Sequence, residues 1–155
     1  MNVLEIIRKF EPQKENLLNI LHSLQDGHPQ NYLPDDTLVQ VARYLNVPLS
    51  SITGIVGYYS MFSRKPRGRF IVRICNSPVC HINNSEDTIQ QAQEILGVKL
   101  GETTTDELFT LEESECIGRC GKGPSMMVNK DFYGKLTREK LEKIFSDFRS
   151  SIKES

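Results

Sequence analysis

Hydrophobic residues in the first 65 positions recur every three or four residues, which is the spacing of one helix face. A first helix is predicted after Pro12 and before Gly27, with a stripe of Leu17, Leu18, Leu21 and Leu24. A second is predicted from Pro34, where two aspartates favour the helix N-terminus, with a face of Leu38, Val41, Ala42 and Leu45. A third, after Pro48, carries Ile52, Ile55, Val56 and Tyr59. Region 1–65 is therefore predicted to be a helical bundle or arm.

The pattern changes from residue 66 onward, where short apolar runs alternate with two longer amphipathic stretches. Strands are predicted at 70–74, 109–111, 126–128 and 132–133, with a turn at 129–131. One helix is predicted from a Ser85 cap to a stop at Gly97, and another from a Thr137 cap. The predicted fold class is α+β, with the N-terminal helical region 1–65 followed by a thioredoxin-like domain at 66–155.

Charge and apolar patterning exclude several classes of protein. Nineteen Lys+Arg and 20 Asp+Glu leave a net charge of −1, which argues against a nucleic-acid binder. No run approaches the roughly 18 apolar residues of a membrane span, so membrane insertion is not expected. The start, MNVLEIIRKFEP, has Glu5 inside its apolar stretch and lacks the cleavage site of a signal peptide. A cytoplasmic location is expected, where disulfides are uncommon.

The candidate chemistry lies in four cysteines, all in the second part of the chain. They form two pairs, with gaps of four and three residues: Cys75 and Cys80, then Cys116 and Cys120. Each pair lies in a predicted loop just after a strand. Two such loops at one edge of a sheet would bring four thiolates into one site.

Four thiolates suit zinc or an iron–sulfur cluster, because both accept soft ligands. Structural zinc loops most often have two to four intervening residues, and gaps of four and three are at the wide end of that range. Gly118, Gly121 and Gly123 allow backbone N–H groups to approach sulfur closely, and such hydrogen bonds tune the potential of a cluster. The pattern favours a cluster over zinc. Neither pair is Cys-x-x-Cys, which argues against a thiol–disulfide enzyme.

Three stretches in order carry a resemblance to a known family. They are YLPDDTLVQVARYLNVPLSSITGIVGYYSMFSRKPRGRFIVRIC, CNSPVCHINNSEDTIQQAQEILGVKLGETTTDELFTLEESECIGRC and CGKGPSMMVNKDFYGKLTREKLEKIF. With both cysteine gaps, they resemble the E-type subunit family of NADH-quinone oxidoreductase, whose members are thioredoxin-like [2Fe–2S] ferredoxin subunits. Similar modules belong to NAD-linked hydrogenases and formate dehydrogenases. The resemblance runs from about Tyr32 to Phe148.

The resemblance implies one [2Fe–2S] cluster, with ligands Cys75, Cys80, Cys116 and Cys120. It implies that FMN and NAD(H) bind a partner chain, and that a larger iron–sulfur subunit belongs to the same complex. The chain would then be the electron-transfer subunit of an NADH-dependent oxidoreductase, without catalysis when isolated. This agrees with the absence from the sequence of a G-x-G-x-x-G after a strand.

Two other functions remain open from the sequence. A free-standing thioredoxin-like ferredoxin is one, although a bare carrier has no need of the helical first part. A zinc-stabilised interaction module is the other.

Several residues near the cysteines have two interpretations. Arg119 departs from the small residue usual in the family, and we expect it either to raise the cluster potential or to face solvent or a partner. His81 is expected to hydrogen-bond near the cluster rather than ligate it, and His22 and His28 to lie at the surface. Glu112, Glu113 and Glu115 would lower the potential.

Two further features are predicted to be structural, each with a functional alternative. The basic run 63–69 is interpreted as a solvated linker, the alternative being a patch for an acidic partner. The aromatic-rich end of the third helix is interpreted as core, the alternative being a docking face: Tyr58, Tyr59, Met61 and Phe62. At least one of Met126 and Met127 is expected in the core.

Overall fold

The computed structural model describes residues 2–153, which form two compact units that divide between Arg67 and Gly68. The first unit is helical. Its helices are α1 (Val3–Ile7), α2 (Leu17–Asp26), α3 (Asp35–Leu45) and α4 (Leu49–Tyr58), with a 3-10 turn at Lys14–Asn16. The three predicted helices are confirmed. The short helix α1 was not predicted, because five residues are too few to show a period.

The core of the first unit is formed by the predicted helix faces. Leu21, Leu24, Leu38, Val41 and Ile52 are fully buried there. The inclusion of Leu18 in the first stripe was wrong, because its side chain is 40% exposed. Helix α2 also begins later than Pro12 suggested, since the 3-10 turn at Lys14–Asn16 precedes it.

The basic run after α4 is partly built into the first unit. The Arg67 side chain is buried, and its Nε donates to the Asn31 carbonyl at 2.9 Å. Arg64 pairs with Asp35 at 2.7 Å. The interpretation of this run as a solvated linker is therefore wrong for Arg67, which holds the chain by hydrogen bonds to backbone carbonyls. A burial this deep is unusual for arginine unless its donors are satisfied.

The second unit is a four-stranded sheet with helices, and the predicted α+β class is confirmed. The sheet order is β2-β1-β3-β4, with β1 and β2 parallel and the other pairs antiparallel. The strands are β1 (Phe70–Cys75), β2 (Phe109–Ser114), β3 (Ser125–Val128) and β4 (Asp131–Gly134). The helices are α5 (Pro78–Ile82), α6 (Ser85–Leu96) and α7 (Arg138–Lys153), with a 3-10 turn at Cys120–Lys122.

The core of this unit lies on one face of the sheet, against α6 and α7. Alternate residues of β1 and β2, including Val72, Ile74 and Leu111, pack with Leu141 and Phe145 of α7. The opposite face carries the intervening residues of the strands, which include Cys75. Alternation along the strands therefore separates the residues of the core from those of the site.

Three helix ends of the second unit were predicted, and one of them was wrong. Gly97 ends α6 with a φ of 69°, and the Thr137 hydroxyl accepts from the Lys140 N–H at the start of α7. Ser85 is not the cap of α6. Asn84 is in that position, and the Ser85 hydroxyl donates to Asn76 Oδ1 instead.

The parallel pairing of β1 with β2 sets the position of the cysteines. Cys75 is aligned with Ser114, and the Asn76 N–H donates to the Ser114 carbonyl at 3.0 Å. Because the two strands run in the same direction, their carboxyl ends meet at one edge of the sheet. Within residues 2–153, no helix has the length and apolar character needed to cross a membrane.

Candidate metal centre

The first cysteine pair is built from regular structure. Cys75 is the last residue of β1 and Cys80 lies in α5, where the sequence predicted a loop. Pro78 is the first residue of this helix, and its missing N–H costs nothing there. The short helix returns the chain toward the end of β1. Both side chains are 1% exposed, so both sulfurs lie in the protein interior.

The second pair lies in irregular structure and is exposed to solvent. Cys116 follows β2 by two residues, and Cys120 begins the 3-10 turn. Their sulfurs are 3.4 Å apart, and both thiols are free. Gly118 lies between them with a φ of 75°, a conformation that L side chains rarely adopt, and its N–H donates to Cys116 Sγ at 3.4 Å.

Strand β4 holds the turn that carries Cys120. The Lys135 N–H donates to the Lys122 carbonyl at 2.7 Å, and the Leu136 N–H donates to the Pro124 carbonyl. A Cβ added at Gly134 would lie 2.7 Å from the Lys122 carbonyl oxygen and from its Cβ. Only glycine permits this approach, so Gly134 sets the distance between the turn and the sheet.

Two buried serine hydroxyls contact the sulfurs of the first pair. Ser77 Oγ lies 3.3 Å from Cys75 Sγ, and Ser125 Oγ lies 3.5 Å from Cys80 Sγ. Ser125 is fully buried and Ser77 nearly so. A hydroxyl can donate to a thiolate, and such contacts orient a ligand and stabilise its negative charge.

The pKa directions of Cys75, Cys116 and Cys120 show how neighbouring groups act on these three thiols. Burial raises the pKa of Cys75, but hydrogen bonds from the Ser77 hydroxyl and N–H and from the Ile117 N–H lower it overall. The Gly118 N–H is the largest cause of the lowered pKa of Cys116. The Cys116 side chain raises the pKa of Cys120, with a smaller contribution from the charge of Cys80.

These contributions indicate that the two pairs lie near each other. Cys116 Sγ lies 3.4 Å from Cys120 Sγ, the charge of Cys75 contributes to the pKa of Cys116, and the charge of Cys80 contributes to that of Cys120. Among the described residues, no three or more His, Cys, Asp or Glu side chains converge as a set for a single ion. Four cysteine thiolates are the ligand set of a [2Fe–2S] cluster, so the residue types present fit such a group.

The other sequence candidates lie around this site in different roles. His81 Nδ1 faces Glu86 at 3.7 Å on the protein surface. His22 is exposed, as expected, whereas His28 is half-buried beside Tyr32. The Arg119 guanidinium lies over the Phe132 ring, 4.9 Å from its centroid. The hydrogen-bonding role of His81 near the cluster and the tuning role of Arg119 stay predictions.

The three glutamates that precede Cys116 lie in different surroundings. Glu112 pairs with Arg73 at 2.9 Å, and Glu113 accepts from Asn76 Nδ2 at 2.9 Å. Glu115 is exposed. The charge of Glu112 is therefore offset by a cation.

The aromatic-rich end of α4 is core only in part. Phe62 is buried in the first unit, but Tyr58 is 82% exposed and Tyr59 and Met61 are partly exposed. The interpretation of the whole stretch as core was therefore wrong. Met126 is fully buried, as expected for one of the two methionines.

Sequence reasoning missed Ser77, Ser125 and Gly134. Ser77 lies between the first two cysteines in the sequence, so its position alone could have indicated a contact with one of their sulfurs. Ser125 is 45 residues from Cys80 in sequence, and Gly134 approaches a turn twelve positions upstream. Neither contact leaves a pattern in a single sequence.

The family to which the chain belongs follows from comparison with known proteins. The model of the thioredoxin-like [2Fe–2S] ferredoxin family matches residues 3–149. The chain belongs to this family. Its relatives include the E-type subunit of NADH-quinone oxidoreductase from Rickettsia felis, which is 33% identical over 150 residues, covering 96% of this chain and 90% of that protein. The corresponding Escherichia coli K12 protein is 35% identical over 120 residues, covering 77% and 72%.

Solved structures support the fold of this thioredoxin-like ferredoxin chain. An NAD+-reducing [NiFe]-hydrogenase in the H2-reduced state matches with a TM-score of 0.77 and 16% identity. The match covers 90% of this chain but only 23% of the hydrogenase chain. At this identity the likeness shows a shared fold and carries nothing about activity.

Proposed function

We propose that this chain is the [2Fe–2S] electron-transfer subunit of an NADH-linked oxidoreductase complex. The observation that carries the proposal is the gathering of four free thiols at the shared carboxyl edge of β1 and β2, in a chain of the [2Fe–2S] ferredoxin family. When bound, the cluster supplies one-electron chemistry. The protein supplies the ligands, their orientation and the surface for docking.

In this proposal each cysteine has a defined position. Cys75 and Cys80 hold the buried side of the cluster, where Ser77 and Ser125 orient their sulfurs. Cys116 and Cys120 hold the exposed side, which is the side through which electrons exchange with a partner. Gly118 supports this side with its N–H.

The partners follow from the relatives rather than from this chain. The curated relatives are E-type subunits of NADH-quinone oxidoreductase, which favours a complex of that type over a hydrogenase or a formate dehydrogenase. FMN and NAD(H) are then held by a flavoprotein chain, and a larger iron–sulfur subunit accompanies it. A cytoplasmic location is part of the same proposal, and the four free thiols support it.

The test is to purify the chain anaerobically and to count iron, sulfide and zinc before a low-temperature EPR spectrum of the reduced protein. Equal iron and sulfide at two per chain, with a rhombic signal on reduction, are expected. A protein that stays colourless after cluster reconstitution and holds one zinc would contradict the proposal and support a zinc-stabilised interaction module.

A second measurement separates a subunit from a free carrier. The chain, tagged in its own cells, is expected to co-purify with an NADH-oxidising flavoprotein, while the isolated chain holds a cluster and oxidises no NADH. A chain that retains its cluster and co-purifies with no redox protein would instead be a free-standing ferredoxin.

A further inference from the structure

The turn that carries Cys120 forms one wall of an open cleft in the second unit. The cleft has a volume of about 330 Å³ and lies between this turn, strand β4 and the first turns of α7. Four cations and two aromatic rings line it: Arg119, Lys122, Lys135, Lys140, Phe132 and Tyr133. The cleft is therefore strongly basic in a chain whose net charge is −1.

The cations of the cleft lack the carboxylate partners that three other arginines have. Arg64, Arg73 and Arg138 each pair with a carboxylate at 2.9 Å or less. By contrast, Arg119, Lys122, Lys135 and Lys140 form no ion pair with any acidic side chain in residues 2–153. Four like charges around one cleft repel each other, so an external anionic surface would be stabilised there.

The cleft is continuous with the exposed side of the cysteine site. Lys122 ends the turn that Cys120 begins, and Arg119 lies between Cys116 and Cys120. Phe132, under the Arg119 guanidinium, is 46% exposed. An exposed aromatic ring beside arginine is typical of the residues that enrich protein interfaces.

Apolar side chains extend this surface past the cysteines. On α5, the helix of Cys80, Ile82 is 81% exposed and Val79 is 42% exposed. The next residue, Asn83, lies 3.4 Å from the Cβ position of Gly123, just after the Cys120 turn. This contact places the end of α5 beside the Cys120 turn, so exposed apolar groups and the basic cleft both lie near this turn.

We propose that this basic cleft is the docking surface for an acidic face of the flavoprotein partner, which places the redox group of the partner beside Cys116 and Cys120. The inference rests on the proposed function. It adds which side of this chain contacts the flavoprotein and which charge that side carries. Lysines on long flexible stems suit a protein surface with several carboxylates better than a single small anion, which rigid donors bind best. Glu113 and Glu115, at the end of β2, would repel the same acidic face and so fix its orientation.

The experiment compares two charge reversals of equal size. Lys135→Glu with Lys140→Glu reverses two cleft cations that lie at least fifteen positions from any cysteine. Lys14→Glu with Lys99→Glu is the matched control, because both lysines are exposed and neither lines the cleft. The probe is the FMN-containing, NADH-oxidising flavoprotein that co-purifies with the wild-type chain, purified and titrated with each cluster-loaded variant.

We expect the cleft reversal to weaken the binding about tenfold at low ionic strength, and the control to stay within about twofold. The difference should shrink at about 0.5 M NaCl, because salt screens exposed charges. The EPR spectrum of the cluster should be the same in all three proteins. If the reversal prevents folding, Lys135→Gln with Lys140→Gln is expected to weaken binding about threefold.

Three results would overturn the proposal. One is equal affinity of the cleft reversal and the control for the flavoprotein. Another is a cleft variant that keeps this affinity but loses binding of inorganic pyrophosphate, which would make the cleft a small-anion site. The third is a wild-type chain that has an intact cluster but binds no flavoprotein. Because this result involves no variant, it would show that the proposed function itself is wrong.

Discussion

The two cysteine pairs differ in how the protein builds them, although both belong to the proposed cluster site. Cys75 and Cys80 lie in a strand and a helix, are buried, and have serine hydroxyls at their sulfurs. Cys116 and Cys120 lie in irregular structure, are exposed, and depend on glycines at 118 and 134. We call these the buried half and the exposed half. The difference indicates that the sheet fixes one half, while local backbone geometry fixes the other.

The largest expected effect is loss of the cluster when either half loses one cysteine. Cys80→Ala and Cys120→Ala should both abolish the visible absorption and bound iron, because each removes one of four ligands. The apo-proteins should differ: Cys80→Ala should lower the free energy of unfolding by about 1–2 kcal/mol through a cavity, and Cys120→Ala by less than about 0.5 kcal/mol. Iron counts and urea unfolding measure the two quantities. Equal stability of the two apo-proteins would contradict the division into halves.

The exposed half is expected to depend on the close approach of Gly134 to the Cys120 turn. Gly134→Ala puts a Cβ about 2.7 Å from the Lys122 carbonyl oxygen, so the turn or β4 must shift. We expect a loss of roughly 1–3 kcal/mol in the free energy of unfolding and a lower iron content after reconstitution. Thermal unfolding and iron analysis check both.

Gly121→Ala is the matched control for Gly134→Ala. It adds the same methyl group to the Cys120 turn itself, where nothing lies within 4 Å of the new Cβ. It should leave iron content unchanged. If the two variants lose iron equally, any change near Cys120 is disruptive and the contact of Gly134 is not the cause.

The two halves also differ in how far the sequence predicts them. The strands were predicted from short apolar runs, but β2 ends three residues later than predicted. The parallel pairing of β1 with β2, which brings Cys75 and Cys116 to one edge, was not predicted. A hydrophobic pattern reports which face is buried, so it predicts strands and helices well. It carries no information on a contact such as Ser125 with Cys80, where a small polar residue is buried for the sake of a distant sulfur.

Similar reasons explain the errors outside the site. Arg67 is part of a run of charges, yet it is buried because the carbonyl of Asn31 satisfies its guanidinium. Leu18 fits the helical stripe but lies at its margin, where the side chain reaches solvent. Pattern alone cannot separate these cases, because both depend on which neighbours the tertiary structure supplies.

The buried half is expected to tune the potential through its hydroxyls. Ser125→Ala removes a donor to Cys80 Sγ, and a hydrogen bond to a thiolate favours the more negative reduced state. We expect the midpoint potential to fall by roughly 40 mV, which is about 1 kcal/mol for one electron. An EPR-monitored redox titration measures it.

Ser114→Ala serves as the control for Ser125→Ala. The Ser114 hydroxyl is also buried and near the site, but it has no hydrogen-bond partner among the described residues. Its removal should leave the midpoint potential unchanged. A fall of the same size in both variants would mean that loss of any buried hydroxyl, and not the contact with Cys80, lowers the potential.

The smallest expected effect belongs to Arg119, at the exposed half. Its cation favours the reduced state, so Arg119→Ala should lower the midpoint potential, but solvent screens the charge and the fall should be only about 10–20 mV. Arg149→Ala is the matched control, because Arg149 also covers an aromatic ring, that of Phe109, at the other end of β2. The control should not shift the potential. A fall for Arg119→Ala as large as that for Ser125→Ala would show that the exposed half tunes the cluster as strongly as the buried half, and the assignment of tuning to the buried hydroxyls would then be wrong.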